Sequence, residues 1–218
     1  MVISPRWEHL RWKTVGPDRV DVRRTGEVLL TCSATGSPAP ALAWYKDGLF
    51  TPHLELVEAS EAAGLGESVA RLRLPCASKA TAGKYECRAR AGEQELSAVT
   101  EVRVVDWAEG DLCSEVGRPE VGTWSPTMMV EEGQDALLRC RPMGSKTRDA
   151  TVTWSNDENQ ELGEGERHQV TAEGDLIVRD VSFLDMGTYT CRLSNSRGSD
   201  QVETFLYPLA PSQTFLGL

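Results

Sequence analysis

The sequence lacks the features that mark several common classes of protein. None of its apolar runs approaches the roughly 20 residues that a membrane-spanning helix requires. Positive charge is scarce, with 23 Lys and Arg against 33 Asp and Glu and a net charge of −10. Because nucleic-acid-binding proteins need a basic surface, this balance argues against that class.

Catalytic and metal-binding motifs are also missing. The three histidines, His9, His53 and His168, lie far apart and belong to no H-E-x-x-H or similar ligand spacing. There is no G-x-S-x-G elbow, no P-loop and no G-x-G-x-x-G motif. The acidic pairs lack the spacing of a calcium loop. We therefore expect a protein that is not an enzyme and that uses no cofactor or metal ion.

Cysteine is present in an even number, six, and none of the six belongs to a C-x-x-C pair. This pattern favours three disulfides formed in an oxidising compartment over a zinc ribbon or a thioredoxin-type motif. The first residues, Met1 to Trp7, contain no apolar segment of a signal peptide. We still expect a secreted, extracellular protein, because a mature chain has lost its signal peptide; the start is then an added Met or an incomplete gene model.

The sequence contains a repeat. Both halves carry a Cys, a Trp 12 to 14 positions later, and a Tyr two positions before a second Cys: Cys32, Trp44, Tyr85 and Cys87, then Cys140, Trp154, Tyr189 and Cys191. This pattern is typical of immunoglobulin domains, in which the Trp packs on an inter-sheet disulfide and the Tyr closes a corner. The sequence therefore predicts an all-β protein of two tandem immunoglobulin-like β-sandwiches.

An unusually long linker is expected between the two sandwiches. We assign residues 1–14 to an N-terminal segment, 15–106 to domain 1, 107–124 to the linker, 125–208 to domain 2 and 209–218 to a C-terminal tail. The linker is rich in Gly, Glu and Asp. A loop of this length is usually functional or held in place by other contacts.

The repeat pairs four of the cysteines, as Cys32–Cys87 and Cys140–Cys191. Each bond contributes roughly 4 kcal/mol to stability in the chain-entropy model. Cys76, at the end of a strand, and Cys113, in the linker, are left over. A bond between them is the only other internal pairing and would tie the linker to domain 1. Two free thiols, or bonds to another molecule, are the alternatives.

Domain 2 carries a more specific set of motifs. The stretch from Asp185 through Tyr189 to Cys191 has the D-x-G-x-Y-x-C form of I-set domains, and Asn195 and Gly198 follow in the hairpin position of that class. Further matching segments surround it, at 156–159, 167–170, 173–177 and 204–208. Together they resemble the secreted two-immunoglobulin-domain proteins of arthropods known as neural/ectodermal development factors, to which the nematode zwei Ig proteins look related.

The resemblance covers both domains in architecture but is specific mainly over residues 152–208. Domain 1 departs from the I-set pattern, because Thr81 stands where the Asp of the D-x-G-x-Y motif is expected. The salt bridge that this Asp usually forms with an Arg is therefore absent. Cys76 and Cys113 are similar to an additional cysteine pair that many members of the family carry.

The family resemblance also implies a function. These proteins are best known for binding insulin-like peptides, so the chain is expected to sequester an insulin-like or IGF-like hormone and thereby antagonise insulin receptor signalling. The alternative is a secreted neuronal cell-recognition or adhesion factor whose partner is another immunoglobulin protein. We expect no nucleic-acid partner and no membrane span. A homodimer is a further expectation if apolar sheet faces stay open without ligand.

Candidate hormone-binding residues are large apolar side chains that the immunoglobulin core does not need. In the last strand, Phe205 and Tyr207 alternate with the residues that should face the core. Trp107 and Trp124 bracket the linker. We expect these four residues to contact the hormone, since Trp and Tyr are frequent in binding hot spots. Packing against other parts of the molecule is the alternative for all four.

Overall fold

The structure, a computed structural model, describes residues 9–50, 64–106, 118–143, 150–163 and 165–211. Within these ranges the chain forms two β-sandwiches, one after the other along the sequence. The predicted all-β fold with two immunoglobulin sandwiches is confirmed.

The described part of the first sandwich contains eight strands: β1 (Arg11–Thr14), β2 (Arg19–Arg23), β3 (Val28–Gly36), β4 (Ala41–Lys46), β5 (Leu49–Phe50), β6 (Gly64–Leu74), β7 (Gly83–Ala91) and β8 (Gln94–Val105). One of its sheets has the order β2-β8-β7-β4-β5, and β1, β3 and β6 form the other side. The side chains of Leu30, Val102 and Val104 alternate with exposed positions and fill the space between the sheets.

Among the described residues, the second sandwich contains nine strands: β9 (Val121–Glu131), β10 (Ala136–Leu138), β11 (Cys140–Pro142), β12 (Thr151–Ser155), β13 (Glu161–Leu162), β14 (His168–Val170), β15 (Leu176–Val178), β16 (Gly187–Asn195) and β17 (Gly198–Leu209). Strands β10, β15 and β14 form a small sheet that covers the core. A single turn of 3-10 helix, Phe183–Asp185, leads into β16.

Each sandwich is centred on a disulfide and a tryptophan. Cys32 is bonded to Cys87 and Cys140 to Cys191, with Cα atoms 6.6 and 6.4 Å apart. Trp44 and Trp154, 1% exposed, fill the centres of the two cores. Their indole N–H groups donate hydrogen bonds to backbone carbonyl oxygens of Ala70 and Gly174, so burial leaves neither donor unpaired.

A tyrosine closes the same corner of both sandwiches. The Tyr85 hydroxyl donates to the carbonyl oxygen of Thr81 at 2.8 Å, and the Tyr189 hydroxyl donates to that of Asp185 at 3.0 Å. Burial, with help from a nearby carboxylate, raises the pKa of both tyrosines to about 12. In the first sandwich the Thr81 hydroxyl oxygen accepts a hydrogen bond from the Ser78 N–H group at 2.8 Å, which gives this corner its own local support.

The two sandwiches share one continuous sheet, which the sequence did not predict. Its order is β1-β3-β6-β9-β17-β16-β12-β13, with β11 paired to β9. Strand β6 pairs with β3 on one side and with β9, antiparallel, on the other, from Gly64 opposite Val130 to Ala70 opposite Thr123. Strand β9 begins at Val121, inside the segment 107–124 that the sequence assigns to the linker. The end of that segment therefore belongs to a strand rather than to a loop.

Side chains reinforce this seam between the sandwiches. Ala39, in the turn between β3 and β4, packs into the core of the second sandwich. The Arg71 guanidinium of β6 donates to the carbonyl oxygen of Val121 at 2.8 Å and to the Asp200 carboxylate at 3.2 Å. Arg73 forms an ion pair with Glu120. Apolar packing and charge-assisted hydrogen bonds thus join the two sandwiches beside the strand pairing.

Cys76 is also disulfide-bonded. It follows β6 by two residues, and the Ala77 N–H group next to it donates to the carbonyl oxygen of Gly26 at 2.7 Å. Its predicted partner, Cys113, lies outside the described residues, so the Cys76–Cys113 pairing stays a prediction.

The seam has no room for an added methyl group at Gly66. A Cβ atom there would lie 2.9 Å from the Cβ atom of Ala39 and 2.9 Å from the carbonyl oxygen of Thr127. We expect Gly66→Ala to lower the free energy of unfolding by about 1–3 kcal/mol, because both neighbours belong to packed backbone segments. Urea unfolding, followed by circular dichroism, measures this loss.

Gly165→Ala is the matched control, because a Cβ atom at Gly165 meets nothing within 4 Å. Its free energy of unfolding should stay within about 0.5 kcal/mol of the wild type. Hydrogen exchange in Gly66→Ala should accelerate in both sandwiches, since the substitution disturbs their common seam. Acceleration in the first sandwich alone would contradict the shared-sheet interpretation.

Candidate ligand-binding surface

Strand β17 has one buried face and one open face. Thr204 and Leu206 are fully buried, whereas Phe205 is 41% and Tyr207 43% exposed. This alternation follows from the pleat of a strand, which sends successive side chains to opposite faces. Phe205 and Tyr207 are therefore large aromatic side chains that the core leaves partly in solvent, as the sequence indicated.

Neighbouring strands place further apolar residues beside Tyr207. Tyr207 pairs with Met129 of β9, and Met129 pairs with Leu65 of β6. Residues that pair directly across strands project to the same face of a sheet. On the other side of β17, Gly187 pairs with Leu206, so Met186 lies level with Tyr207. The row Met186, Tyr207, Met129 and Leu65 crosses from the second sandwich into the first.

The 3-10 helix extends this apolar surface at its edge. Phe183 is 62% exposed and Leu184 is 92% exposed, and Met186 directly after the helix is 39% exposed. The Phe183 N–H group donates to the Glu132 carboxylate at 2.6 Å, which fixes the start of the helix against the end of β9. We call the combined surface the apolar row: Leu65, Met129, Phe183, Leu184, Met186, Phe205 and Tyr207.

Asp185 holds the 3-10 helix in place. One of its carboxylate oxygens, Oδ2, accepts hydrogen bonds from Ser182, through the N–H group at 2.8 Å and the hydroxyl at 3.0 Å, and from Arg167 at 2.7 Å. Burial by itself would raise the pKa of Asp185. The hydrogen bonds from Arg167 and Ser182 outweigh burial, so the pKa lies below its ordinary value.

Charged groups border the apolar row. Glu67, two residues after Leu65 on the same face of β6, forms an ion pair with Lys13 at 2.6 Å. Glu203, two residues before Phe205 on the same face of β17, is exposed. An apolar centre with a charged border is the usual composition of a protein-binding surface.

Trp124, also predicted to contact a ligand, lies in the seam between the sandwiches. The Arg71 guanidinium stacks on its indole ring, 4.7 Å from the ring centroid, and the indole packs against the second core. Trp124 is only partly exposed, and its role in ligand binding stays a prediction. Trp107 lies outside the described residues.

The sequence analysis did not predict several members of the apolar row. Phe183 and Leu184 stand directly before the Asp185 of the D-x-G-x-Y motif, between two strands. The position of two adjacent apolar residues in this turn is the sequence signal that could have found them. Leu65 and Met129 gave no such signal. The pairing of β9 with β17 brings Met129 to Tyr207, and the pairing of β6 with β9 adds Leu65.

The described ranges contain no cluster of three His, Cys, Asp or Glu residues suited to a metal ion. In the same part of the chain, no helix is long and apolar enough to cross a membrane.

Known protein families match both sandwiches. The "Immunoglobulin domain" family matches residues 13–90, and the "Immunoglobulin I-set domain" family matches residues 119–207. The chain is a protein of two immunoglobulin domains. Neither family, nor any of the relatives described below, carries the name of an enzyme.

Relatives of this two-domain protein span most of its length. It is 29% identical to the Zwei Ig domain protein zig-4 of Caenorhabditis elegans, over 85% of this chain and 75% of the relative. It is 28% identical to the Neural/ectodermal development factor IMP-L2 of Drosophila melanogaster, over 92% of this chain and 77% of the relative. The family resemblance predicted from the motifs is confirmed.

A crystal structure of neural ectodermal development factor IMP-L2 has a similar fold. The two structures superpose with a TM-score of 0.77 at 25% sequence identity, and the match covers 93% of this chain and 96% of the other. Because it extends over both sandwiches, the likeness applies to the two-domain arrangement and not only to a single immunoglobulin domain.

Replacing the Asp185 carboxylate should loosen the helix that presents Phe183 and Leu184. We expect Asp185→Asn to lower the free energy of unfolding by about 1–3 kcal/mol at neutral pH, because the donors on Ser182 and Arg167 lose a buried, charged acceptor. Since the folded pKa lies below the unfolded one, the stabilisation is present above the unfolded pKa. It is lost as pH falls through the folded pKa.

Urea unfolding of Asp185→Asn and wild type between pH 7 and pH 2 measures this difference. The two curves should converge below about pH 4, the ordinary range for Asp. Asp106→Asn is the control, because the Asp106 side chain is 78% exposed and its ion pair with Arg23 is long, at 4.0 Å. A wild-type advantage that persists unchanged into acid would contradict the assignment.

Proposed function

We propose that this protein is a secreted binding protein that holds an insulin-like or IGF-like peptide hormone on the apolar row and so withholds it from its receptor. The observation that carries the proposal is the row itself, which presents large apolar side chains on the open face of a sheet common to both domains. The family resemblance, which implies binding of insulin-like peptides, supplies the class of ligand.

The exposure of the row favours a binding role over simple packing. Monomeric proteins rarely leave a contiguous apolar surface of this kind uncovered, and those that do usually bind a partner there. Tyr207 and Phe205 are well suited to act as anchors, because aromatic side chains bury a large area at little cost in conformational entropy. Their neighbours on β9 and β6 widen the surface into the first domain.

The sheet also gives the row a fixed shape. Backbone pairing, rather than a flexible loop, holds Met129 opposite Tyr207 and Leu65 opposite Met129. A surface that is already ordered loses less entropy when a ligand binds. The mechanism is occupancy: a hormone held at nanomolar affinity is not free to reach its receptor.

Calorimetry with a purified insulin-like peptide tests the proposal. The variant Phe205→Ser/Tyr207→Ser should bind at least about 30-fold more weakly than the wild type, since loss of hot-spot aromatics costs about 2 kcal/mol or more. Circular dichroism should show an unchanged fold, because both side chains project away from the core.

Val99→Ser is the matched control. Val99 is an apolar residue of β8, 47% exposed, in the sheet of the first domain that does not carry the row. Its affinity should equal that of the wild type. Equal affinity of the Phe205/Tyr207 double variant would place the hormone elsewhere. Absence of binding by the wild type would refute hormone sequestration, and a pull-down with neuronal membranes would then test the recognition alternative.

A further inference from the structure

Two methionines stand in the centre of the apolar row, one on each side of Tyr207. Met129 of β9 pairs directly with Tyr207, and Met186 lies level with Tyr207 just before β16. Met186 is 39% exposed, and Met129 is partly exposed. Methionine suits a binding surface because its side chain is unbranched, flexible and polarisable. A ligand that covers Tyr207 therefore covers both thioether groups as well.

The backbone fixes the position of both methionines. Met129 lies in the interior of β9 and is paired on both sides, with Leu65 of β6 and with Tyr207 of β17. The Met186 N–H group donates to the carbonyl oxygen of Phe183 at 3.2 Å, and the Met186 backbone is extended, as the start of a strand requires. Neither methionine can leave the row unless the strand pairing or the 3-10 helix changes. A chemical change in either side chain is therefore a change in the row itself.

The other two methionines that the structure describes have packed or hydrogen-bonded sulfur atoms. Met128 is 2% exposed and projects to the opposite face of β9 from Met129. A Cβ atom at Gly64 would lie 3.2 Å from the Met128 sulfur, so β6 packs closely against it. The Met143 sulfur accepts a hydrogen bond from the Arg73 N–H group at 3.0 Å. Among the described methionines, a small oxidant in solution therefore reaches those of the row most readily.

Solvent exposure matters because hydrogen peroxide oxidises the thioether group of methionine to a sulfoxide. The sulfur atom attacks one oxygen of the peroxide, so that an S–O bond forms and the O–O bond breaks. The departing hydroxide takes the proton of the transferred oxygen and leaves as water. Sulfur loses two electrons, and the peroxide gains them. No cysteine among the described residues is free, so the peroxide finds no thiol to oxidise in that part of the chain.

A sulfoxide changes the polarity of the row without changing its backbone. The apolar thioether becomes a polar group whose oxygen accepts hydrogen bonds. The aliphatic side chain of Leu65, which is paired with Met129, donates none. Apolar side chains of a ligand on the row donate none either. Because burial of a polar group without a hydrogen-bond partner is unfavourable, the ligand binds an oxidised row more weakly.

We propose that Met129 and Met186 make the apolar row an oxidation-sensitive binding surface: hydrogen peroxide converts both to sulfoxides, and the row then releases its ligand. This inference rests on the proposed function, because the ligand is the partner that the row holds. The two oxidations act at one place, on either side of Tyr207. The aromatic anchor thereby loses an apolar neighbour on each side.

Peroxide treatment followed by peptide mapping and calorimetry tests the proposal. Mass spectrometry should show oxygen added first at Met186 and Met129, and later at Met128 and Met143. The dissociation constant for a purified insulin-like peptide should rise at least about 10-fold in the oxidised protein, because polar groups buried without a partner weaken association. Circular dichroism should show an unchanged fold, since both oxidised side chains lie outside the two cores.

The variant Met129→Leu/Met186→Leu should be insensitive to peroxide. Leucine has a volume similar to that of methionine and no sulfur to oxidise. Each protein is compared with itself before and after treatment, so a change in the starting affinity of the variant does not affect the result. Met143→Leu is the matched control, because it removes a methionine outside the row. It should keep the full response of the wild type.

Dye fluorescence distinguishes failure of this proposal from failure of hormone sequestration. Anilinonaphthalene sulfonate binds exposed apolar surface and needs no hormone. Its fluorescence with the wild type should fall on oxidation, and its fluorescence with the double leucine variant should not. If the untreated wild type binds no insulin-like peptide, hormone sequestration is refuted, and the dye measurement alone decides whether the row is oxidation-sensitive.

Three results would each overturn the proposal. The first is oxidation of Met128 or Met143 before the two methionines of the row. The second is an unchanged hormone affinity or dye signal once Met129 and Met186 are both oxidised. The third is an equal loss of binding in the double leucine variant, because the sensitive residue would then lie elsewhere.

Discussion

The antiparallel pairing of β6 with β9 is the constraint on which the rest of the molecule depends. In the first sandwich β6 has a partner, β3, on one side only, and its other edge would present unpaired N–H and C=O groups. Strand β9 satisfies those groups from Gly64 to Ala70 and joins one sheet of the first sandwich to one sheet of the second. Because strand pairing fixes register as well as distance, it determines which residues meet on each face of the two strands.

The two sandwiches themselves were predictable from the sequence, and the sheet that joins them was not. Trp44 and Trp154 could be placed because the immunoglobulin pattern is local: a disulfide, a tryptophan and a tyrosine at short, repeated spacings. The pairing of β6 with β9 joins segments from different domains, and no spacing encodes it. A β-bulge after Glu67 makes the register still harder to predict from the sequence, because β9 has one more residue than β6 between the pairs Glu67–Thr127 and Val69–Trp124.

The same distinction applies to the candidate site. Alternation along one strand was enough to predict that Phe205 and Tyr207 leave the core, because that alternation is a property of the backbone. Leu65 and Met129 join them only through pairing with strands that lie far away in sequence.

The apolar row and the contacts of Gly66 in the seam lie on opposite faces of the same strands. On β6, Leu65 belongs to the open face, whereas Ser68 and Gly66 belong to the face that packs in the seam. The close packing of Gly66 against Ala39 and Thr127 therefore also holds the register that sets Leu65 opposite Met129. A one-residue change in the register of β6 would send each of its side chains to the opposite face. Contacts in the seam can therefore determine whether the apolar row forms, without touching a ligand. The buried residues Gly66 and Ser68 thus help to determine the shape of the binding surface, although they lie on the face of β6 that a ligand of that surface does not contact.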